Sequence, residues 1–323
     1  MSDARPLVVV TRKVPGDSVA IDGAEVVTGP LEAPSRAETL RRIRGASVVV
    51  TMFTDEVDAE FLDAAGNQLR GICNFAVGYN NIDLDACKDR GVVVTNTPDA
   101  VTEGTANMAM GLLLAVARRI VEGDRFARTG EWVKRAPLGM GEMLGVGLAG
   151  RTIHIVGAGR IGYATALRAR AFGMDVIYTS RRRKLAFEGA PLCGRWVELD
   201  EGLREADVVS LHTPLTDETR HLLNADRMAM LKPVAIVINT SRGPVIDEAA
   251  LVEALREKRI WGAGLDVFEE EPKVHPGLVE LDNVVMMPHV GSGETRWRNE
   301  MTRMCEASAG AILNGEEPEH RVA

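Results

Sequence analysis

The sequence predicts an α/β fold of two Rossmann-like, doubly wound parallel-sheet domains, on three observations. Short β-branched runs alternate with helical patterns from one end of the chain to the other. The strand runs are almost continuously apolar, the pattern of strands covered by helices on both faces. A glycine-rich turn of the kind that opens a nucleotide-binding sheet begins only at Gly157, and nearly half the chain, with its own strand–helix alternation, precedes it. At about 150 residues per domain, a chain of 323 residues accommodates two.

Leu7–Val10, Ala46–Thr51 and Val92–Thr95 read as strands with helical stretches between them. Thr102–Val121 reads as one long apolar helix. Its segment Met108–Ala117, closed by Arg118 and Arg119, is far shorter than the roughly 20 residues needed to span a bilayer, so it reads as buried. Residues 122–148 are rich in Gly, Met and charge and read as an irregular arm. Thr152–Val156, Asp175–Thr179, Val208–Leu211, Ala235–Asn239, Gly262–Asp266 and Val284–Met287 then read as strands. Helices are expected at Arg160–Phe172, Ala225–Leu231, Glu248–Lys258 and about Glu294–Leu313.

Composition narrows the function. Lys+Arg number 38 and Asp+Glu 46, a net charge of −8. Binding nucleic acid or an anionic membrane needs clustered positive charge, so neither is expected as a partner. Cys73, Cys87, Cys193 and Cys305 form no CxxC pattern, and no metal site is expected. Met1–Pro6 and the four-residue apolar run after it fall short of the roughly 7–15 apolar residues of a secretory leader, which points to a cytoplasmic protein with reduced thiols.

Ile153–Val156 runs into Gly157-Ala158-Gly159-Arg160-Ile161-Gly162 and then into a helical pattern, matching G-x-G-x-x-G in a strand–turn–helix context. The first glycine permits the tight turn, the second lets backbone approach a pyrophosphate, and the third lets helix and strand pack closely. Free N–H groups at the helix start attract the phosphates. The next strand ends in Thr179 and is followed by Ser180, Arg181, Arg182 and Arg183. The carboxylate that NAD-binding folds usually place there for the ribose 2′-hydroxyl is missing, and Asp175 stands at the wrong end. Arginine favours a 2′-phosphate, so NADP(H) is expected over NAD(H); the alternative is a solvated basic turn.

Three loops follow the later strands: Asn239–Gly243, Asp266–Pro272 and Pro288–Ser292. In an open parallel sheet, loops at the carboxyl ends of the strands converge on the ligand. They bring a fixed cation, Arg242, a carboxylate from Glu269–Glu271, and a titratable base, His289. Reducing a 2-oxo acid needs a cation for the substrate carboxylate and carbonyl and a proton donor for the nascent alkoxide, and a carboxylate beside His289 favours its charged form. Taken singly, each residue also has a structural reading: a surface turn for Arg242, a solvated charge run for the glutamates, a strand-end histidine for His289.

With these residues in view, the sequence resembles the D-isomer-specific 2-hydroxyacid dehydrogenase family, and within it glyoxylate/hydroxypyruvate reductases. The resemblance runs from about Ala46 to Glu317. It is carried by Val77–Asp83, Val94–Pro98, Gly157–Gly162, His212–Thr216, Asn239–Gly243, Gly264–Pro272 and Pro288–Ser292. It implies Arg242, Glu271 and His289 as the catalytic triad, with backbone N–H groups around Val77 and Gly78 holding the substrate carboxylate. It implies cofactor contacts at Pro214, Thr240, Asp266 and Gly291, besides Gly157, Gly159, Arg160, Ile161, Gly162, Ser180, Arg181, Arg182 and His289. Asp266 would face the nicotinamide amide. It further implies a discontinuous substrate-binding, flavodoxin-like domain (1–99 and 291–323) around a dinucleotide-binding Rossmann domain (100–290), and a homodimer joined through the arm. The phosphite-oxidising relatives carry a lysine where Val77 stands, which argues against that reaction. The expected activity is NADPH-dependent reduction of glyoxylate or hydroxypyruvate, with His289 as proton donor. The alternatives are an NADH-preferring dehydrogenase for another 2-oxo acid and a nucleotide-sensing corepressor without activity. Glu294, Arg296 and Trp297 either shape the substrate pocket or are ordinary first-turn residues of the last helix.

Overall fold

The computed structural model describes residues 5–16 and 19–323. They fall into two compact units, one from the described residues of Met1–Val101 with Ser292–Ala323, the other Thr102–Gly291.

The first unit carries β1 (Leu7–Val10), β2 (Glu25–Thr28), α1 (Arg36–Arg42), β3 (Val48–Thr51), α2 (Ala59–Ala65), β4 (Gly71–Asn74), α3 (Leu84–Asp89) and β5 (Val93–Thr95). Its sheet is parallel in the order β2-β1-β3-β4-β5. Every residue of β3 and β4 is buried, as expected of central strands covered on both faces. Ser35, Asp58 and Asp83 cap the three helices, each side chain accepting from the amide three residues on.

The second unit begins with α4 (Thr102–Ala117), α5 (Ile120–Arg128) and α6 (Glu131–Arg135). Its doubly wound part follows: β6 (Thr152–Val156), α7 (Arg160–Ala171), β7 (Asp175–Thr179), α8 (Leu185–Glu188), β8 (Arg195–Trp196), α9 (Leu199–Glu205) and β9 (Val208–Leu211). It continues with α10 (Ala225–Met228), β10 (Ile236–Asn239), a 3₁₀ turn (Gly243–Val245), α11 (Glu248–Arg256), β11 (Gly262–Leu265), α12 (Pro276–Val279) and β12 (Val284–Met286). The parallel sheet has the order β12-β11-β10-β9-β6-β7-β8. The chain leaves β6 toward β7 on one side and resumes at β9 on the other, so the strand order reverses between β6 and β9. Ligands of such sheets bind at that point, beyond the carboxyl ends of the strands. Glycines in β11 let α4 lie close: a Cβ on Gly264 would meet Leu112 Cβ at 2.8 Å, and one on Gly262 would meet Val116 Cγ1 at 2.7 Å.

The last helix, α13 (Thr295–Asn314), belongs to the first unit and packs on β4, where a Cβ on Gly71 would meet Ile312 Cδ1 at 2.6 Å. The chain end then pairs with the edge of β5, Val322 N–H donating to Val94 O at 2.7 Å, which covers an otherwise open strand edge.

The elements depart from expectation in several places, among them the short helices α8, α9 and α12, which were not expected. Thr102–Val121 is not one helix, because α4 ends at Ala117. Arg119 adopts a left-handed backbone (φ 53°), and Val146 N–H takes the Ala117 carbonyl that a continuing helix would have used. The arm over 122–148 is not wholly irregular, since it contains most of α5 and all of α6. Strands β2, β4 and β8 were not expected. β2 is a largely exposed edge strand and β8 has two residues, so neither shows a buried run, while β4 hides its core Ile72 and Cys73 between Gly71 and Asn74. No described helix is long and apolar enough to cross a membrane.

Candidate active site

All loops of interest in the second unit follow parallel strands of one sheet, so they gather along one edge. The turn after β6 matches its sequence reading. Gly157 has φ +103°, and a Cβ there would sit 2.6 Å from the His212 carbonyl. A Cβ on Gly162 would sit 2.3 Å from Gly157 O, so no larger residue fits at either position. Gly159, the residue before α7, is exposed and has no protein atom within 4 Å of where a side chain would begin. The first amides of α7, from exposed Arg160 and half-buried Ile161, open there without a capping side chain. A backbone cradle with space above its second glycine fits a pyrophosphate.

Beyond β7, Ser180 Oγ donates to Arg182 O at 2.6 Å, which folds the turn. Arg183 is tied to Glu188 at 2.8 and 2.9 Å, while Arg181 and Arg182 lie exposed. Asp175, at the far end of β7, pairs with Arg170 at 3.0 Å. Pro214 stands exposed beyond β9, and the buried Thr240 hydroxyl beyond β10 has no hydrogen-bond partner among the described residues.

His289, beyond β12, takes a left-handed backbone (φ 52°), and its Nδ1 lies 2.7 Å from Glu271 Oε2. The other oxygen of Glu271 accepts from Phe268 N–H at 3.0 Å, closing the loop on itself. Burial alone would raise the Glu271 carboxyl. The His289 hydrogen bond and charge, the Phe268 amide and the Arg242 charge outweigh it and hold the group below the usual carboxylate range. Arg242 lies at the start of the 3₁₀ turn in extended backbone, its Nη1 donating to Ser241 O at 2.7 Å. Burial draws its guanidinium down from the ordinary value and Glu271 pulls it back up, so the two side chains feel each other. Cation, carboxylate and imidazole, distant in sequence, thus form one electrostatic group.

Asp266 is fully buried, and its two carboxylate oxygens accept from Val290 N–H at 2.8 Å and Gly291 N–H at 2.7 Å. It therefore anchors the residues that follow His289. Gly291 is required for that approach, since a Cβ would meet Asp266 Oδ2 at 2.8 Å.

Sequence reasoning passed over three residues here. Glu269 was read only as part of an acidic run, and His221 and Glu248 were not singled out. Glu269 N–H donates to Glu248 Oε1 at 2.6 Å, Glu248 N–H donates to Glu269 Oε2 at 3.2 Å, and His221 Nε2 lies 2.5 Å from Glu269 Oε1. No local pattern links positions so far apart. The nearest signal was an acidic residue opening the helix after the arginine loop.

In the first unit, the segment after β4 holds Val77 and Gly78 by their carbonyls. Asn96 Nδ2 donates to Val77 O and Asn74 Nδ2 to Gly78 O, both at 2.8 Å. Among the described residues neither the Val77 nor the Gly78 N–H finds an acceptor. Glu294 directly precedes α13, and the Arg296 guanidinium lies 4.6 Å from the ring centroid of Trp297. Cys73, Cys87 and Cys305 are buried thiols and Cys193 is exposed. No group of three or more potential metal ligands occurs among the described residues.

Against known proteins, residues 110–291 match the family described as D-isomer specific 2-hydroxyacid dehydrogenase, NAD binding domain. The chain is 47% identical over 321 residues to a glyoxylate reductase of Thermococcus onnurineus, covering 97% of this chain and 95% of that one. A crystal structure of a protein from Thermus thermophilus superposes with a TM-score of 0.91 at 43% identity, over 98% of this chain and all of that one. The NADPH-dependent glyoxylate/hydroxypyruvate reductase of Sinorhizobium meliloti, solved with NADP and malonate, gives 0.85 at 33% identity, over 99% of this chain and 97% of that one.

Proposed function

Because the chain belongs to the D-isomer-specific 2-hydroxyacid dehydrogenase family, an oxidoreductase family with a nicotinamide-binding domain, we propose that it reduces glyoxylate and hydroxypyruvate with NADPH and that His289 is the proton donor. Reduction of a 2-oxo acid is the activity of the family's glyoxylate reductases, and the finer reading rests on this chain's own residues. The observation that carries it is the contact of Glu271 Oε2 with His289 Nδ1 at 2.7 Å, within the field of Arg242.

The Gly157–Gly162 cradle would hold the pyrophosphate of a nicotinamide cofactor, which would supply the hydride for the carbonyl carbon. Arg242 pairs with the substrate carboxylate and polarises the carbonyl oxygen. As the carbonyl π pair moves onto that oxygen, His289 delivers a proton to it, leaving a hydroxyl and a neutral imidazole. Glu271 engages Nδ1, which orients Nε2 toward the reacting oxygen and stabilises the charged ring before transfer. In the first unit, the unused Val77 and Gly78 amides form a pair of backbone donors of the kind that cradles a carboxylate. Asp266, Thr240, Pro214 and Gly291 line the cofactor's side of this edge in the same reading.

For NADPH over NADH the support is the exposed Arg181–Arg182 turn and the absence of a carboxylate at the end of β7. We expect kcat/KM to be higher with NADPH than with NADH across a panel of glyoxylate, hydroxypyruvate and pyruvate. Arg181→Ala should lower the NADPH value by about 10-fold to 100-fold, the worth of a charge-assisted hydrogen bond, and leave the NADH value nearly unchanged. Equal or better turnover with NADH in the unaltered enzyme would remove the NADPH assignment.

A homodimer joined through residues 122–148 is part of the proposal. Its support is apolar surface on that arm: Trp132 is 54%, Val133 84%, Met140 96% and Leu144 61% exposed. Sedimentation at micromolar concentration should give twice the 34.9 kDa chain mass, and Val133→Glu with Met140→Glu should give monomers. A monomer before substitution contradicts it.

A further inference from the structure

The bonds among Glu248, Glu269 and His221 tie together three segments, two of which carry the catalytic candidates Arg242 and Glu271. Glu248 opens α11, just after the Arg242 turn, and Glu269 lies two residues before Glu271. Their bonds are reciprocal, each carboxylate accepting the other residue's N–H. The peptide fixed in this way is the surface on which the Arg242–Gly243 turn rests. A Cβ on Gly243 would sit 1.8 Å from Phe268 O and 2.5 Å from Glu269 N. Phe268, in turn, donates its N–H to Glu271. His221 closes the third side. Its imidazole meets Glu269, and its backbone N–H donates to Pro244 O at 2.7 Å, just beyond the arginine turn.

Two features set the cluster apart from an exposed, solvated ion pair. Glu248 is buried at 5% exposure, and burial pushes its carboxyl up against the pull of the Glu269 amide. A buried carboxylate is costly unless it is fully hydrogen-bonded. His221 adopts a left-handed backbone (φ 49°) that side chains bearing a Cβ rarely take, and such conformations persist where surrounding contacts over-determine them.

We propose that Glu248, Glu269 and His221 form a positioning clamp that sets the distance between Arg242 and the Glu271–His289 pair. The clamp touches neither substrate nor cofactor. It acts through the Phe268–Glu269 peptide, which carries the catalytic loop on one side and the arginine turn on the other. The inference rests on the reading of Arg242, Glu271 and His289 as the catalytic group.

The test compares Glu248→Ala, Glu269→Ala, their double variant and Glu248→Gln in the full-length enzyme, with glyoxylate and NADPH. Misplacement of about 1 Å costs about 10²-fold in rate, so each alanine variant should lose about 10-fold to 100-fold in kcat. The NADPH dissociation constant, read by nucleotide fluorescence, should stay within about 2-fold, because the glycine cradle is untouched. The double variant should be little worse than either single one, since both remove the same bond pair. Glu248→Gln keeps an acceptor for the Glu269 N–H and should restore most of the rate. Alanine variants with unaltered kcat overturn the clamp. So does a loss of NADPH binding in step with the rate, which marks general destabilisation. A His289→Asn control separates the two readings. If it retains turnover, the catalytic assignment fails; if it is inactive while the clamp variants are not, only the clamp fails.

Discussion

His289→Asn is expected to lower kcat for glyoxylate reduction by about 10²-fold to 10⁴-fold, the usual contribution of a positioned general acid. NADPH affinity should be unchanged, because the residues that hold the phosphates belong to the turn after β6. The choice of asparagine matters. His289 sits at φ 52°, where asparagine is among the best tolerated residues other than glycine. Alanine there has no polar side chain to meet Glu271 or the local backbone, and so blurs lost chemistry with a displaced loop. Asparagine can still meet Glu271 and cannot deliver a proton. Steady-state turnover with equilibrium NADPH binding on the same preparation decides it. Turnover within about 3-fold of the unaltered enzyme would show that the proton comes from elsewhere.

Arg242→Ala is expected to reduce kcat/KM for glyoxylate by about 10²-fold or more, with loss in both kcat and KM. A substrate carboxylate without its charge-assisted fork loses orientation as well as affinity. The backbone tolerates the change, since Arg242 is extended (φ −142°) and only the neighbouring Gly243 is crowded. Arg242→Lys keeps the charge without the planar fork and should fall between the two. Removing the cation also takes away one of the influences that keep Glu271 low, so the rate of Arg242→Ala should decline at a higher pH on the acid side than that of the unaltered enzyme. The sign follows from Glu271 being useful only as the carboxylate. The lower its protonation point, the further into acid it stays charged. Rates of Arg242→Ala within about 3-fold of the parent across pH would remove the arginine from the mechanism.

Much of the architecture was legible because it is written locally. β6, β7 and β9 have the bounds that their β-branched runs suggested, since strands buried on both faces must be apolar along their length. The Gly157–Gly162 turn was legible because only glycine meets its backbone demands, and such demands appear as residue identity. The pairing of Glu271 with His289 could be anticipated from placement after successive parallel strands, although no spacing rule brings them to 2.7 Å.

Elements that depend on distant partners were not legible. The end of α4 at Ala117 reflects an amide from Val146, and the residues up to Val121 are as helix-compatible as those before. β8 is a strand because β7 supplies hydrogen-bond partners, not because of its own two residues, and β2, though β-branched, is too short and exposed to show a buried run. Asp266 carries the same lesson, since nothing local shows that its oxygens accept from the Val290 and Gly291 amides, which the fold brings to it.

Taken alone, the chain's residue order was enough for the succession of strands and helices, the phosphate-type turn and the three chemical groups for reducing a 2-oxo acid, because each depends on neighbours within one element or one turn. The join between Glu248, Glu269 and His221, the tuning of Glu271 by Arg242, and the left-handed setting of His289 came from the folded state. These depend on charges and peptide groups that are far apart along the backbone and approach only when seven parallel strands align their carboxyl ends.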